Sequence, residues 1–501
     1  VPGASPLRVA VVGGGIGGLT TAALLASAGC RVVLFEKNAE TGGKLGWEEA
    51  GGYAWDTGPS LLTMPAVLEE VWQACGARMQ DDLELVRLPV TCRYRWRDGT
   101  VIDEDEDFWQ RPELANFLRY AEGLYDLSAE AFLRNRLEDW WRLLLRPGEL
   151  PNLRHLPKIA SFKTLAEKVD VLVPEEHLRQ ILYRFATYNG SSPYQAPAAF
   201  NIIAYVQRHF GGWYVRGGLV EVPRAVTALA LRAGAEIRCR SEVSAVHREQ
   251  GGYLVELDEA GADAESFDVV VSNQDVLTAS GGWFGGLLHR AGKASKHPRA
   301  AADISLSGFV LLLGMRCAFP ELEHHTILFS DEYRREFEQL FGRREPAQDP
   351  TIYISITSRE DPSHAPPGGE NWFVLVNVPA VDPDSGSADQ YWGANADAYG
   401  DHIIAKISAH LGRDIAGDIA VRQTITPGDF GRRHLSYGGS LYGYASHGVT
   451  SSFRRPAMEH PSFPGLYFVG GTTHPGGGIP LAMLGAQIAS RRIFQRYHVQ
   501  D

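Results

Sequence analysis

The chain is expected to fold as an α/β unit on a parallel sheet joined to an α+β unit with a mixed sheet and helices. Three features point there. An apolar run, Arg8-Val9-Ala10-Val11-Val12, passes directly into glycines and then into a stretch rich in small residues. A similar order, apolar run, glycine pair, loop and proline-started helix, recurs over residues 465–491. The long stretches between them carry alternating apolar patterns and helical periodicities, as separate sheet and helix elements require. With 501 residues the chain is long enough for two such units and a large buried core.

Composition narrows the function. Hydrophobic residues make up 44% and charged residues 22%, ordinary for a globular protein. The net charge of −12 argues against a nucleic-acid partner, and an anionic surface would have to be met by a local basic patch. Cys30, Cys75, Cys92, Cys239 and Cys317 are far apart without a C-x-x-C pair, which gives no disulfide framework and no cysteine-framed zinc site. The 16 histidines show no H-E-x-x-H spacing, so no metal is expected. A strand begins within the first ten residues, leaving no room for a signal peptide, and no apolar run reaches the roughly 18 residues of a bilayer span. The expected location is cytoplasmic, at most on a membrane surface.

The first fifty residues carry the strongest local signal. Gly13-Gly14-Gly15-Ile16-Gly17-Gly18 contains G-x-G-x-x-G directly after the strand over residues 8–12. Gly13 permits the tight turn, Gly15 lets backbone approach a pyrophosphate, and Gly18 lets the following helix pack close to the strand. The helix N-terminus, from Ile16 and Gly17, offers N–H groups and positive partial charge to phosphates. A second strand over residues 31–35 ends in Glu36, eighteen residues after Gly18, which can accept hydrogen bonds from ribose hydroxyls; Lys37 adjoins it. An isolated match of this kind is as often a plain glycine turn. Strand, glycines, helix, strand and acid in sequence predict a Rossmann-type dinucleotide-binding domain.

The next residues favour FAD over NAD. Glu40-Thr41-Gly42-Gly43-Lys44-Leu45-Gly46 resembles the second glycine motif of amine-oxidase and carotenoid-desaturase flavoproteins, where a basic residue lies near the cofactor phosphates. That likeness implies cofactor contact by Gly43 and Lys44. Asp56-Thr57-Gly58-Pro59-Ser60 is similar to a segment that passes close to the flavin in these families, placing Gly58, Pro59 and Ser60 there. No second G-x-G-x-x-G occurs, so electrons are expected to leave toward oxygen or a quinone rather than a nicotinamide.

Later segments belong to the same domain. Residues 235–239, 242–246, 253–257 and 267–272 read as strands following a helix that ends near Gly234. The resemblance puts Val243 against the adenine through backbone groups; a core strand valine is the bland alternative, and both can hold. Gly465-Leu466-Tyr467-Phe468-Val469 leads into Gly470-Gly471-Thr472-Thr473-His474-Pro475-Gly476-Gly477-Gly478-Ile479-Pro480 and a helix. Its N-terminus, with Gly470, Gly471, Gly478, Ile479 and Pro480, suits the flavin pyrimidine edge, where negative charge grows on reduction.

This last segment resembles the C-terminal signature of the bacterial-type phytoene desaturase family, and so do His364-Ala365-Pro366-Pro367-Gly368, Glu370-Asn371-Trp372, Leu306-Ser307-Gly308-Phe309, His325-Thr326-Ile327-Leu328-Phe329 and Gly217-Gly218. The family likeness implies an FAD-dependent oxidoreductase of the amine-oxidase/GDI-like superfamily acting on a long apolar isoprenoid, a carotenoid. Residues 80–170 carry least of it. Arg184-Phe185-Ala186-Thr187-Tyr188-Asn189-Gly190-Ser191-Ser192-Pro193-Tyr194-Gln195-Ala196-Pro197 looks more like the branch that desaturates 1-hydroxylated carotenoids at carbons 3 and 4 than like phytoene desaturases. Tyr188, Asn189 and Gln195 become candidates for a substrate hydroxyl. The alternatives are phytoene or diapophytoene desaturation, then a carotenoid ketolase or oxidase. A prenyl-lipid carrier of the GDI-like type is the non-enzyme alternative, disfavoured by the complete phosphate motif and Glu36.

Residues 1–75, 206–275 and 431–501 are assigned to the FAD-binding domain, and 76–205 and 276–430 to substrate. Residues 94–102 read as a hairpin with an Asp98-Gly99 turn, and residues 308–313 and 373–376 as strands of a mixed sheet roofing a long tunnel. Residues 131–168 carry eight Lys/Arg against four Asp/Glu, with Leu133, Leu137, Trp140, Trp141 and Leu144 at helical spacing. Such a helix commonly packs on its own domain; for a bilayer-borne carotenoid it suits a membrane surface as partner. Removing a hydride and a proton from an allylic position needs positioning, dryness and a ready acceptor more than a strong acid–base pair. Arg179 is a catalytic candidate by family likeness, although with Glu175 it has the i,i+4 spacing of an ordinary ion pair. His474 is the other candidate, and a structural hydrogen bond is its commoner role.

Overall fold

Strands that are apolar on both sides need cover on both faces, and the parallel sheet of this protein has it. A computed structural model describes residues 6–128, 163–259, 263–281, 304–381, 387–448 and 455–499. The amphipathic stretch expected to meet a membrane lies outside the described residues over 131–162. Strands Leu466–Phe468, Val269–Ser272, Arg8–Val12, Arg31–Phe35 and Glu236–Arg238 lie side by side in that order, all parallel. Side chains alternate across a strand. Val9, Val11, Val32 and Leu34 therefore pack on helices Ile16–Ser27, Glu221–Arg232 and Ile479–Tyr497, through residues such as Leu25, Val226 and Met483. Ala10, Val12, Val33 and Phe35 point the other way, onto a three-stranded antiparallel sheet that contributes Val246, Tyr253, Val255 and Phe267.

One expected strand is divided. Residues 267–272 read as continuous, but Glu265–Phe267 pairs antiparallel with Gly252–Leu257, whereas Val269–Ser272 joins the parallel sheet. Asp268 forms the corner. Its carboxylate accepts the Arg8 N–H at 2.8 Å and its own N–H donates to the Arg8 carbonyl at 2.9 Å. Phe267 and Val269–Val271 flank the corner as apolar residues and read as one run, so periodicity alone does not reveal the change of partner.

The second sheet is mixed. Its order is Ile419–Ile425, Ser307–Met315, Glu370–Val378, Ile352–Ser355, His325–Leu328, Arg93–Arg95 and Val101–Asp103, antiparallel except where His325–Leu328 meets Arg93–Arg95. The expected Asp-Gly hairpin closes its edge, with Gly99 at φ +89° and the Thr100 N–H donating to Asp98 Oδ1 at 2.8 Å. Phe309, Leu311, Leu313, Trp372, Val374 and Val376 pack on one face with Ile403, Ile404 and Ile407 of helix Ser387–Leu411. The opposite face, with Ile327, Tyr353, Phe373 and Leu375, roofs a cavity.

Candidate active site

The cavity holds about 1090 Å³ and reaches from the glycines after the first strand to the underside of the mixed sheet. It exceeds the roughly 300–1,000 Å³ of a pocket for one drug-sized ligand, so it has room for a cofactor and part of a substrate. At one end its wall is formed by Gly13, Gly15, Ile16, Gly17, Glu36 and Lys37. Gly18 lies behind it: a methyl group there would overlap the Gly13 carbonyl oxygen, so helix and strand approach as closely as backbone allows. A Cβ on Gly17 would sit 2.7 Å from Asn273 Oδ1 and 3.0 Å from the Gly470 nitrogen. The first helix has Gly15 at its N-cap, no capping side chain and no acid in its first turn. Its leading N–H groups and partial positive charge are thus left for an anion.

Glu36 is buried, with Oε2 accepting the Gly14 N–H at 2.7 Å and Oε1 the Asn38 N–H at 2.8 Å. Those bonds fix the carboxylate in place and leave lone pairs for sugar hydroxyls. Ser241, Glu242 and Val243 line the neighbouring wall, and a register shift follows Val243 in its strand. This donor set, glycine cradle, bare helix end and fixed acid fits a dinucleotide such as FAD.

Gly43 and Lys44 line the next part. The ammonium of Lys44 donates to the carbonyls of Leu441 at 2.7 Å and Ser440 at 3.3 Å. Burial pulls it down to about 8, with the Asp275 carboxylate opposing. Lys37 donates to Asn38 Oδ1 at 3.0 Å and to the Arg432 carbonyl at 3.3 Å. Gly58, Pro59 and Ser60 follow in the wall, and a methyl on Gly58 would overlap the Lys44 carbonyl. Gly470, Gly471, Gly478, Ile479 and Pro480 complete this end, where helix Ile479–Tyr497 starts with Gly478 as a side-chain-free cap.

Two polar groups sit in the apolar part, and of their members local sequence patterns had named only Ser60 and Tyr188 as candidates. Arg184 is buried beneath three aromatic rings, its Cζ 5.1, 4.5 and 5.3 Å from the centroids of Tyr94, Phe185 and Tyr188. It donates to Tyr94 Oη at 2.6 Å and Tyr188 Oη at 3.1 Å and pairs with Glu104 at 3.5 Å. Tyr188 donates to Gln207 Oε1 at 2.7 Å, and Gln207 donates to Glu104 Oε1 at 2.6 Å, closing a ring of hydrogen bonds. Burial pushes Glu104 up, and the guanidinium opposes it. The second group is Ser60, Tyr353 and His325, with Oγ–Oη 2.5 Å and Oη–Nδ1 2.8 Å. Burial, with His324 and Arg184 nearby, holds His325 well below its ordinary value and therefore neutral. Arg184 opens the stretch that sequence analysis singled out, but Tyr94, Glu104 and Gln207 come from distant segments with no shared motif.

Of the substrate candidates, Tyr188 and Asn189 line the cavity and Gln195 is exposed outside it. The two catalytic candidates are not brought to the cavity wall. Arg179, on helix Glu176–Tyr183, donates from Nε to the Val173 carbonyl at 2.6 Å, while Glu175 caps that helix by accepting the His177 and Leu178 N–H groups. His474 is buried behind Pro475, which does line the cavity.

Comparison with known proteins adds to this geometry. The family model described as flavin containing amine oxidoreductase matches residues 16–494. A 4,4'-diapolycopene oxygenase of a Methylomonas species is 34% identical, with 97% of this chain and 98% of that protein aligned. A 1-hydroxycarotenoid 3,4-desaturase of a Flavobacterium species is 32% identical, over 96% and 98%. Among solved structures, a putrescine oxidase variant aligns with TM-score 0.64 at 14% identity over 98% of this chain and all of the other. A cyclohexylamine oxidase of Brevibacterium oxydans gives TM-score 0.62 at 14% identity over 99% and 100%. The solved structures share the fold.

Proposed function

Since this chain belongs to the flavin-containing amine oxidoreductases, as an FAD-dependent enzyme whose curated relatives are carotenoid desaturases and oxygenases, we propose that it desaturates carbons 3 and 4 of a 1-hydroxylated carotenoid. One observation carries the reading: a single cavity is walled by the nucleotide glycines and by Arg184, Thr187, Tyr188 and Asn189 of the stretch that resembles the 1-hydroxycarotenoid branch. In such a substrate the hydroxyl-bearing carbon is two carbons from the bond to be oxidised. A hydroxyl partner must therefore stand close to the reacting carbons, and a hydrocarbon end would leave it nothing to bind. Tyr188 supplies a hydroxyl oxygen that accepts, its proton being given to Gln207, and the Ser60–Tyr353 pair supplies hydroxyl groups in the cavity that accept or donate.

The bound cofactor supplies a two-electron acceptor for hydride, and the second hydrogen leaves as a proton. The chain's part is to hold the polyene in register under Phe373 and Leu375, to keep water out, and to anchor the hydroxyl. Oxygen or a quinone is the acceptor we assign for the electrons, and a membrane surface the source of substrate. Among the described residues no helix is long and apolar enough to cross a membrane.

The relative at 34% identity favours a second reading, oxygenation of a terminal carbon. FAD-loaded protein incubated in liposomes with a 1-hydroxylated acyclic carotenoid separates them. Loss of two hydrogens with a red-shifted spectrum is expected. Gain of oxygen would turn the assignment to the second reading. Unchanged substrate, with colour developing from phytoene instead, would remove both.

A further inference from the structure

Arg455 is a guanidinium with no task in the reaction outlined above. It is 9% exposed, lines the cavity, and donates to the Gly471 carbonyl at 3.1 Å and to Asn189 Oδ1 at 3.4 Å. Among the described residues no carboxylate pairs with it. Other buried cations in this protein do have acids: Arg184 has Glu104, Lys406 has Asp349, and Lys44 has Asp275 nearby. Burial pulls Arg455 down to about 10, and no acid restores it. An uncompensated buried charge is strongly unfavourable, so a site that keeps one is built for negative charge supplied by its ligand.

The surroundings say which part of the ligand. A Cβ on Gly476 would stand 3.5 Å from the Arg455 Cζ, and one on Gly471 would stand 3.4 Å from the Gly477 Cα. The guanidinium thus touches the glycine segment that leads into the bare N-terminus of helix Ile479–Tyr497, whose first turn contains no acid. Two sources of positive potential, a full charge and a helix end, converge on that segment. The phosphates have their own helix end at Gly15, on the other glycine motif.

We propose that Arg455 is the counter-charge of the FAD ring system in its reduced state. Two electrons and one hydrogen nucleus reach the ring as hydride while the substrate's second hydrogen leaves as a proton. The ring then holds one extra negative charge unless another proton follows. A permanent cation nearby favours that anion and so favours hydride acceptance. Through Asn189 the same guanidinium ties the segment expected at the substrate to the segment expected at the cofactor.

The test is the midpoint potential of the bound FAD against pH, from pH 5 to 8, read by spectroelectrochemistry. Uptake of one proton per two electrons gives a slope of about 30 mV per pH unit, and two protons about 59 mV. The wild-type protein is expected to follow the shallow slope throughout. Arg455→Gln is expected to steepen toward the larger slope at the acid end, and Arg455→Lys to keep the shallow one. Flavin absorbance confirms that each variant carries cofactor. A steep acid-end slope in the wild type would overturn the proposal, as would Arg455→Gln with unchanged potentials. Weakened FAD affinity in that variant with an unaltered pH profile would also overturn it, assigning Arg455 to the phosphates instead. Should Arg455→Gln hold no flavin, the wild-type slope and Arg455→Lys decide.

Discussion

Gly18 shows how one missing Cβ sets the distance between a helix and a strand. The overlap that a methyl would make is with a backbone carbonyl, not with the end of a flexible side chain. Gly18→Ala must therefore move the first helix off the first strand, and with it the N–H groups at Ile16 and Gly17. We expect FAD affinity to fall at least tenfold and the variant to purify largely colourless, measured by flavin absorbance and fluorescence titration. A yellow Gly18→Ala protein with undiminished affinity would contradict this account. Single residues of this sort were legible because the glycine motif is local, and Glu36 was found the same way. Arg184 was not. Its meaning depends on Glu104, eighty positions away, and on Gln207, and no window of sequence contains all three. Arg455 was missed because a basic residue before a proline reads as a surface residue until its burial is known.

Elements are joined by side chains as well as by backbone, and Glu336 does this for the cavity's distal wall. It lies on helix Tyr333–Phe337, and Thr351, just ahead of strand Ile352–Ser355, gives it two hydrogen bonds, N–H to Oε1 at 3.0 Å and hydroxyl to Oε2 at 2.7 Å. Burial pushes this carboxyl up to about 7 against those bonds. The folded protein therefore holds a proton between the ordinary carboxylate range and pH 7 that the unfolded chain releases. Stability falls as pH rises through that window and levels off above it. At about 1.4 kcal/mol per unit the group contributes up to about 3 kcal/mol of this loss. Urea denaturation from pH 4.5 to 7.5 should show the decline in the wild type and a flatter profile in Glu336→Gln; parallel curves would refute it. At this level most strands were readable from apolar runs or alternation. The break at Asp268 was not, since Phe267 before it and Val269–Val271 after it are apolar and only the choice of partner differs.

Among the described residues the two largest sheets face one cavity, and that arrangement has a thermodynamic consequence. Gly13, Gly15 and Glu36 come from the parallel sheet's end, whereas Ile327, Tyr353 and Phe373 come from the mixed sheet. A ligand filling such a space meets the assembled wall only, so it binds the folded chain and not the unfolded one. Stabilisation then grows as RT ln(1 + [L]/Kd), about 2.7 kcal/mol at a hundredfold excess over Kd. Trp72 reports on the core beside the parallel sheet and Trp372 on the core of the mixed sheet, both fully buried. Stripping FAD should lower the melting temperature seen by tryptophan fluorescence, and restoring it should raise Tm with the logarithm of FAD concentration. Single-tryptophan versions retaining Trp72 or Trp372 should shift together. A shift confined to the Trp72 probe would mean that the mixed sheet folds without sensing the cofactor, and the shared wall would then be geometric only.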